Sequence, residues 1–233
     1  MPVFFTQRQI VAPGDLLAEG NYNLGNNVYS IDGKIYSSVL GLAEIREGRI
    51  ITVIPLKGCY IPKVNDIVIG KVVDVGIASW LIDINSPYTG YLQVTDALSK
   101  PVDITKIQLR KFLDIGDIIV AKVIAFDLMR DPQLTIKESK LGKVERGSLV
   151  EISPVKVPRV IGKRGSMISM LERELDCEII VGQNGRILVT GKNKARELFA
   201  VRLIKMIEKE AHVTGLTDKI KNIIIKAKKE GVI

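Results

Sequence analysis

The chain has 233 residues, 46% of them hydrophobic, and a formal net charge of +8. That length and apolar content allow two or three small folded domains and argue against a disordered chain. Two cysteines and one histidine cannot complete a four-ligand zinc site without carboxylates, which argues against structural zinc; no metal or cofactor is expected.

No apolar run approaches the ~18 residues of a membrane span, and Met1-Pro2-Val3-Phe4-Phe5 lacks the basic segment and apolar length of a signal peptide. A soluble, cytoplasmic protein with no membrane partner is expected. Cys59, among turn residues, and Cys177, in an apolar strand pattern, then read as reduced thiols. The charge is unevenly spread. Residues 1–60 hold five basic and five acidic residues, residues 61–140 ten of each, and residues 141–233 nineteen basic against eleven acidic. All of the excess sits in the C-terminal third, the electrostatic footprint of a polyanion partner.

Residues 1–61 read as a β-rich module of short strands between tight turns. Turn signals recur at Pro13-Gly14-Asp15, Gly25-Asn26-Asn27, Asp32-Gly33, Glu47-Gly48 and Lys57-Gly58, with apolar stretches at 28–31, 34–36 and 50–54. Asp32-Gly33 between two such stretches predicts a two-residue hairpin. Nothing in the module suggests catalysis.

Residues 62–140 read as five strands, at 67–75, 79–84, 88–94, 118–126 and 133–137. A loop or short helix covers 103–114, and Arg130-Asp131-Pro132 reads as the turn before the last strand. Five strands with a long connection after the third suit an OB barrel. The phrases Ile69-Gly70-Lys71-Val72, Leu81-Ile82-Asp83-Ile84, Thr89-Gly90-Tyr91-Leu92 and Gly116-Asp117-Ile118-Ile119-Val120 resemble the OB-type RNA-binding domain named after ribosomal protein S-one. That family usually presents stacking aromatics and a histidine where alignment puts Ala78, Leu81 and Gln93 here. Stacking contributes about 1–3 kcal/mol per base, so the resemblance implies an RNA contact through cations such as Lys106, Arg110 and Lys111, or mainly a scaffold.

Residues 148–233 predict strand, one-turn helix at Pro158, glycine loop, helix at 166–175, strands at 178–181 and 186–190 around the turn Gln183-Asn184-Gly185, and a long helix over 193–211. The long helix is expected to face inward through Leu198, Val201, Ile204 and Ile207, and a further helix covers 217–230. The glycine loop, Ile161-Gly162-Lys163-Arg164-Gly165-Ser166-Met167-Ile168, sets two cations between two glycines at a helix start. Glycine lets the backbone approach a bulky ligand, and helix N-termini suit phosphate. A P-loop fails, because Lys163 is followed by Arg164 rather than Ser or Thr.

With Val157, Ile161 and Ile168 at matching spacing, the loop resembles the GXXG loop of a KH domain of the eukaryotic type (βααββα), which clamps single-stranded RNA. The resemblance implies that Gly162, Lys163, Arg164 and Gly165 hold phosphates. Ile161, Ile168 and Ile179 would line a shallow apolar groove for bases, or else serve as ordinary core residues.

A multidomain protein of this order, β-rich module, OB barrel, then KH domain with an extra terminal helix, resembles one family over nearly the full length: the KH-bearing RNA-binding cap subunit of the archaeal exosome. Val11-Ala12-Pro13-Gly14-Asp15, Asp32-Gly33-Lys34-Ile35-Tyr36-Ser37 and Gly58-Cys59-Tyr60-Ile61-Pro62 carry the N-terminal part of the resemblance. It implies a non-catalytic subunit, three copies of which cap a hexameric ring of RNase PH-like subunits and feed 3′ ends of single-stranded RNA into its pore. The other known cap subunit carries a zinc ribbon, which the cysteine count does not allow. Two rivals come from other classes. A metal-dependent nuclease would need clustered carboxylates, and the acidic residues here are scattered along the chain. A transcription antitermination or elongation factor binding nascent RNA also joins OB and KH modules, but usually with two KH copies and without this N-terminal module.

Overall fold

A computed structural model describes residues 2–98, 108–127, 129–211, 213 and 215–229. The chain divides into two compact units, Met1–Gly58 and Cys59–Ile233.

In the first unit β1 (Gln9–Val11), β2 (Leu16–Glu19), β3 (Asn23–Leu24), β4 (Val28–Ile31), β5 (Lys34–Ser37), β6 (Gly41–Arg46) and β7 (Ile50–Pro55) form two sheets, ordered β1-β6-β7-β3 and β2-β5-β4. The core is Val11, Leu17, Ala18, Ile35, Ala43, Ile51 and Val53, with the adjacent Leu17 and Ala18 both buried where the β2–β5 ladder shifts register. The expected hairpin joins β4 to β5, with Asp32 at φ 50° and Gly33 at φ 74°. Two successive positive φ values match the right-handed twist of the strands they join.

The second unit opens with the barrel: β8 (Ile67–Val75), β9 (Ser79–Asp83), β10 (Thr89–Gln93), a one-turn helix α1 (Val94–Ala97), a 3-10 turn at Leu109–Lys111, β11 (Ile118–Asp127) and β12 (Arg130–Thr135). Strand order is β12-β10-β9-β8-β11, and β11 pairs with β12 to close the five-stranded barrel. Trp80 is fully buried inside and donates its indole N–H to the Leu113 carbonyl at 2.9 Å, so it is core. One expectation fails here. Arg130-Asp131-Pro132 is strand rather than turn, and the chain reverses before it, where Asp127 accepts from the Met129 N–H. The β11–β12 ladder shifts register between Ala125 and Asp127, and such an irregularity tolerates Pro132, which has no N–H to pair.

A two-residue strand β13 (Gly142–Lys143) pairs with β11 and leads into β14 (Ser148–Glu151), a 3-10 turn at Pro154–Lys156, α2 (Val157–Ile161), a 3-10 turn at Lys163–Gly165, α3 (Ser166–Leu175), β15 (Cys177–Val181), β16 (Arg186–Gly191), α4 (Lys194–Lys209) and α5 (Leu216–Lys229). The three-stranded sheet is antiparallel throughout, ordered β14-β16-β15. Its core includes Val150, Val160, Met167, Leu171, Ile187, Ile204 and Ile220, from strands and helices alike.

The inner face of the long helix is as expected at Ile204 and Ile207, which are buried with Ala200 and Leu203, and Val201 packs on the core, but Leu198 is 56% exposed. Its neighbour Glu197 takes the inner position, because its carboxylate accepts from the Gly191 N–H, the Ser148 hydroxyl and Lys194 Nζ. The N-cap Asn193 accepts from the Ala195 N–H at 2.9 Å.

Candidate nucleic-acid interface

The glycine loop is set by backbone geometry. Gly162 has φ 77° and ψ 173°, a region essentially reserved for glycine, and a Cβ there would stand 2.7 Å from the Met167 nitrogen. Arg164 (φ 55°) and Gly165 (φ 80°) are both left-handed, so the chain makes a tight knuckle over Lys163–Gly165 before α3 begins. The space beside Gly165 is open: an added Cβ would meet only Ile168 and Ser169, at 3.9 and 4.0 Å.

The knuckle presents positive charge outward. Lys163 and Arg164 are exposed, and among the described residues neither has an ion-pair partner. The first turn of α3 contains no acidic residue, and Gly165 at its N-cap offers no capping side chain. A helix N-terminus without a side-chain cap, beside two free cations, is suited to an anion. Beside it Ile161 and Ile168 are partly exposed while packing on the domain core. Ile179 lies deeper, 5% exposed, with its N–H donated to the Glu172 carboxylate at 3.2 Å.

On the barrel, Ala78 is exposed and Leu81, Tyr91 and Gln93 are partly exposed. Arg110 is exposed, 3.9 Å from Asp114, and Lys111 is exposed beside it. Lys106 lies outside the described residues. Among the described residues no three His, Cys, Asp or Glu side chains gather to hold a metal ion, and no helix is long and apolar enough to cross a membrane.

Asn184, expected only as part of a turn, and Arg186, expected only as the start of a strand, join the barrel to the last domain. In the turn 183–185 Asn184 and Gly185 are buried: Asn184 is 0% exposed, and its side-chain amide bonds to the backbone of Ile69 and Ile84 in the barrel. Arg186, 7% exposed, donates to Glu151 at 2.8 Å and to the Asp83 carboxylate and carbonyl, each at 2.6 Å. Burial alone would raise the Asp83 carboxyl, but the Arg186 guanidinium and the Asn85 N–H outweigh it and hold the group below the usual carboxylate range. Around these polar groups Ile69, Val120 and Leu188 form a buried apolar cluster, flanked by Ile67, Ile118 and Ile180. A signal was present in the sequence: a lone arginine opens the otherwise apolar run Ile187-Leu188-Val189.

Comparison with known proteins agrees with this architecture. Residues 8–57 match the family described as exosome RNA binding protein RRP4 N-terminal domain, residues 59–125 the RRP4 S1 domain, and residues 147–195 the KH domain. The chain is 54% identical to the exosome complex component Rrp4 of Thermofilum pendens, over 93% of this chain and 92% of that one. It is 46% identical to the component of the same name from Thermococcus kodakarensis, over 99% and 92%. A crystal structure described as an exosome complex RNA-binding protein superimposes with a TM-score of 0.69 at 44% identity, covering 74% of this chain and 98% of that one. With three successive domain matches and such identity over nearly its whole length, the chain belongs to the exosome complex component Rrp4 family.

Proposed function

We propose that this protein is a non-catalytic, cytoplasmic RNA-binding subunit of an exosome. Three copies would cap a hexameric ring of RNase PH-like subunits, bind single-stranded RNA and direct its 3′ end into the pore. The observation that carries the RNA-binding reading is the glycine knuckle, where Lys163 and Arg164 are exposed and unpaired among the described residues at an uncapped helix N-terminus. Phosphates would sit against Gly162–Gly165, with bases laid over Ile161 and Ile168 and Ile179 supporting that surface from the core side. Arg110 and Lys111, with Lys106, would add weaker contacts from the barrel. Residues 1–61, with no net charge over residues 1–60, would dock on the ring rather than bind RNA.

Gly165→Asp tests this reading. Asp tolerates the left-handed conformation and the neighbouring space is open, so the variant folds while placing a carboxylate at the phosphate position. Fluorescence anisotropy with a single-stranded RNA should show a large loss of affinity. Unchanged binding by the folded variant would put the RNA site elsewhere. Purified protein should also leave labelled RNA intact in magnesium and manganese; cleavage abolished by one point substitution would make the chain a nuclease.

A further inference from the structure

We infer that Glu172 is a specificity-determining residue of the RNA groove, favouring a base with an amino group beside Ile179 and turning uracil away there. The inference rests on the RNA-binding reading above and adds to it what the groove asks of a base.

Helical period puts Glu172 in the groove. It follows Ile168 by one turn of α3, so the two share a helix face, and both are partly exposed. Glu172 lies about 10 Å along the axis from Gly165, clear of a phosphate held at the glycine knuckle. Its Oε1 accepts the Ile179 N–H at 3.2 Å, which brings the carboxylate across to β15. An open hollow of about 410 Å³ adjoins it at the start of β15, with Arg146 and Lys192 in the wall, so there is room for a base and positive charge nearby.

The sheet decides what else a base meets at this point. β15 is an edge strand, with β16 on one side only. The Gly182 N–H bonds to the Arg186 carbonyl, and an antiparallel ladder alternates bonded with non-bonded pairs. Glu178 and Ile180 therefore bond to β16, while Ile179 turns its N–H and carbonyl to the open edge. Glu172 already holds that N–H. What remains beside Ile179 is its carbonyl and Glu172 Oε2, which has no hydrogen-bond or ion-pair partner among the described residues. Two acceptors thus stand together with their nearest donor occupied. The amino group of cytosine or adenine carries two N–H donors, one for each acceptor, and a glutamate carboxylate is a fitting partner for the cytosine amino group. Uracil has the shape of cytosine but sets a carbonyl oxygen in the amino position. Against a carboxylate that oxygen is repelled and leaves both acceptors unpaired.

The test titrates the full chain with labelled cytidine and uridine tetranucleotides, the length a KH loop clamps, before and after Glu172→Gln. The unsubstituted protein should bind the cytidine tetramer about tenfold or more tightly. Glutamine keeps an oxygen for the Ile179 N–H and presents an amide N–H that uracil accepts, so the preference should fall to about twofold or less. A carboxylate that merely repelled phosphates would, once neutralised, let both tetramers bind more tightly by one factor. An unchanged ratio therefore overturns the inference, as does equal binding of the two tetramers by the unsubstituted protein. If circular dichroism shows Glu172→Gln unfolded, Glu172→Ala is held to the same ratio, since it removes the same carboxylate. Failure of the unsubstituted protein to bind either tetramer would instead refute the RNA-binding reading itself.

Discussion

The Asn184 side chain pairs with Ile69 as a neighbouring strand would: its Oδ1 accepts the Ile69 N–H at 3.3 Å and its Nδ2 donates to the Ile69 carbonyl at 2.8 Å. One side-chain amide thus completes a strand of the barrel from another domain. Asn184→Ala would leave the Ile69 N–H and the Ile84 carbonyl unpaired in a buried setting, and the Ile69 carbonyl with only Arg186 Nη1 at 3.5 Å. Each such group costs about 1–3 kcal/mol, so a loss of about 3 kcal/mol is expected after partial relaxation. Trp80, the single tryptophan and fully buried in the barrel, reports the change by fluorescence in urea titrations. An unchanged midpoint would show the pairing to be dispensable.

The Asp83–Arg186 pair gives the joint an acid limit. The folded Asp83 carboxyl titrates below its ordinary value, so its contribution is full above the unfolded pKa of about 3.9 and is lost as pH falls through the lower, folded value. Stability measured from pH 6 downward should therefore hold until about pH 4 and then decline, and Asp83→Asn should flatten part of that decline. Identical pH profiles for the two proteins would remove Asp83 from the account.

How far the sequence could be read follows the range of the physics involved. The glycine loop, the Asp32-Gly33 hairpin and helix α3 are local, set by glycine's freedom and by helical period, and each lies where the sequence puts it. Leu198 was misjudged because periodicity ranks apolar residues and cannot see that Glu197 finds three partners inside. Pro132 was misjudged because a ladder irregularity depends on the partner strand. The role of Asn184 was invisible for the same reason: its partners Ile69 and Ile84 lie about a hundred positions away in sequence.

The two glycines of the loop should separate in stability. Gly162→Ala brings a Cβ to 2.7 Å from the Met167 nitrogen and Cβ in a region only glycine favours, so a loss of about 3 kcal/mol or more is expected. Gly165→Ala meets no close atom and carries only the left-handed cost of about 1–2 kcal/mol. Thermal unfolding of both variants checks the order, and equal losses would show that the close approach to Met167 yields readily.

Charge at the loop sets the salt dependence. Replacing Lys163 and Arg164 with Ala should weaken RNA binding for all sequences alike and lower the slope of log affinity against log salt by about one to two. A changed base preference with an unchanged slope would mean that these side chains read bases.

The first unit, with help from the barrel, should carry ring association. It has its own core, and residues 1–60 hold equal numbers of acidic and basic residues, so no long-range attraction draws it to RNA. The register of β1, β6 and β7 aligns Ile10, Leu42 and Ile54 in one cross-strand row, on the face opposite the buried Val11, Ala43 and Val53. Ile10 is 63% exposed, and an apolar row on a sheet face is the kind of surface a protein partner covers. Deleting residues 1–58 should abolish co-elution with an RNase PH-like ring while RNA affinity of the remainder stays within about twofold, because the second unit has separate cores for its barrel and KH domain. Ile10→Asp in the full chain should weaken the association with little effect on folding, since the residue faces solvent. If the deleted protein still joined the ring, or lost RNA instead, the division of labour between the two units would be wrong.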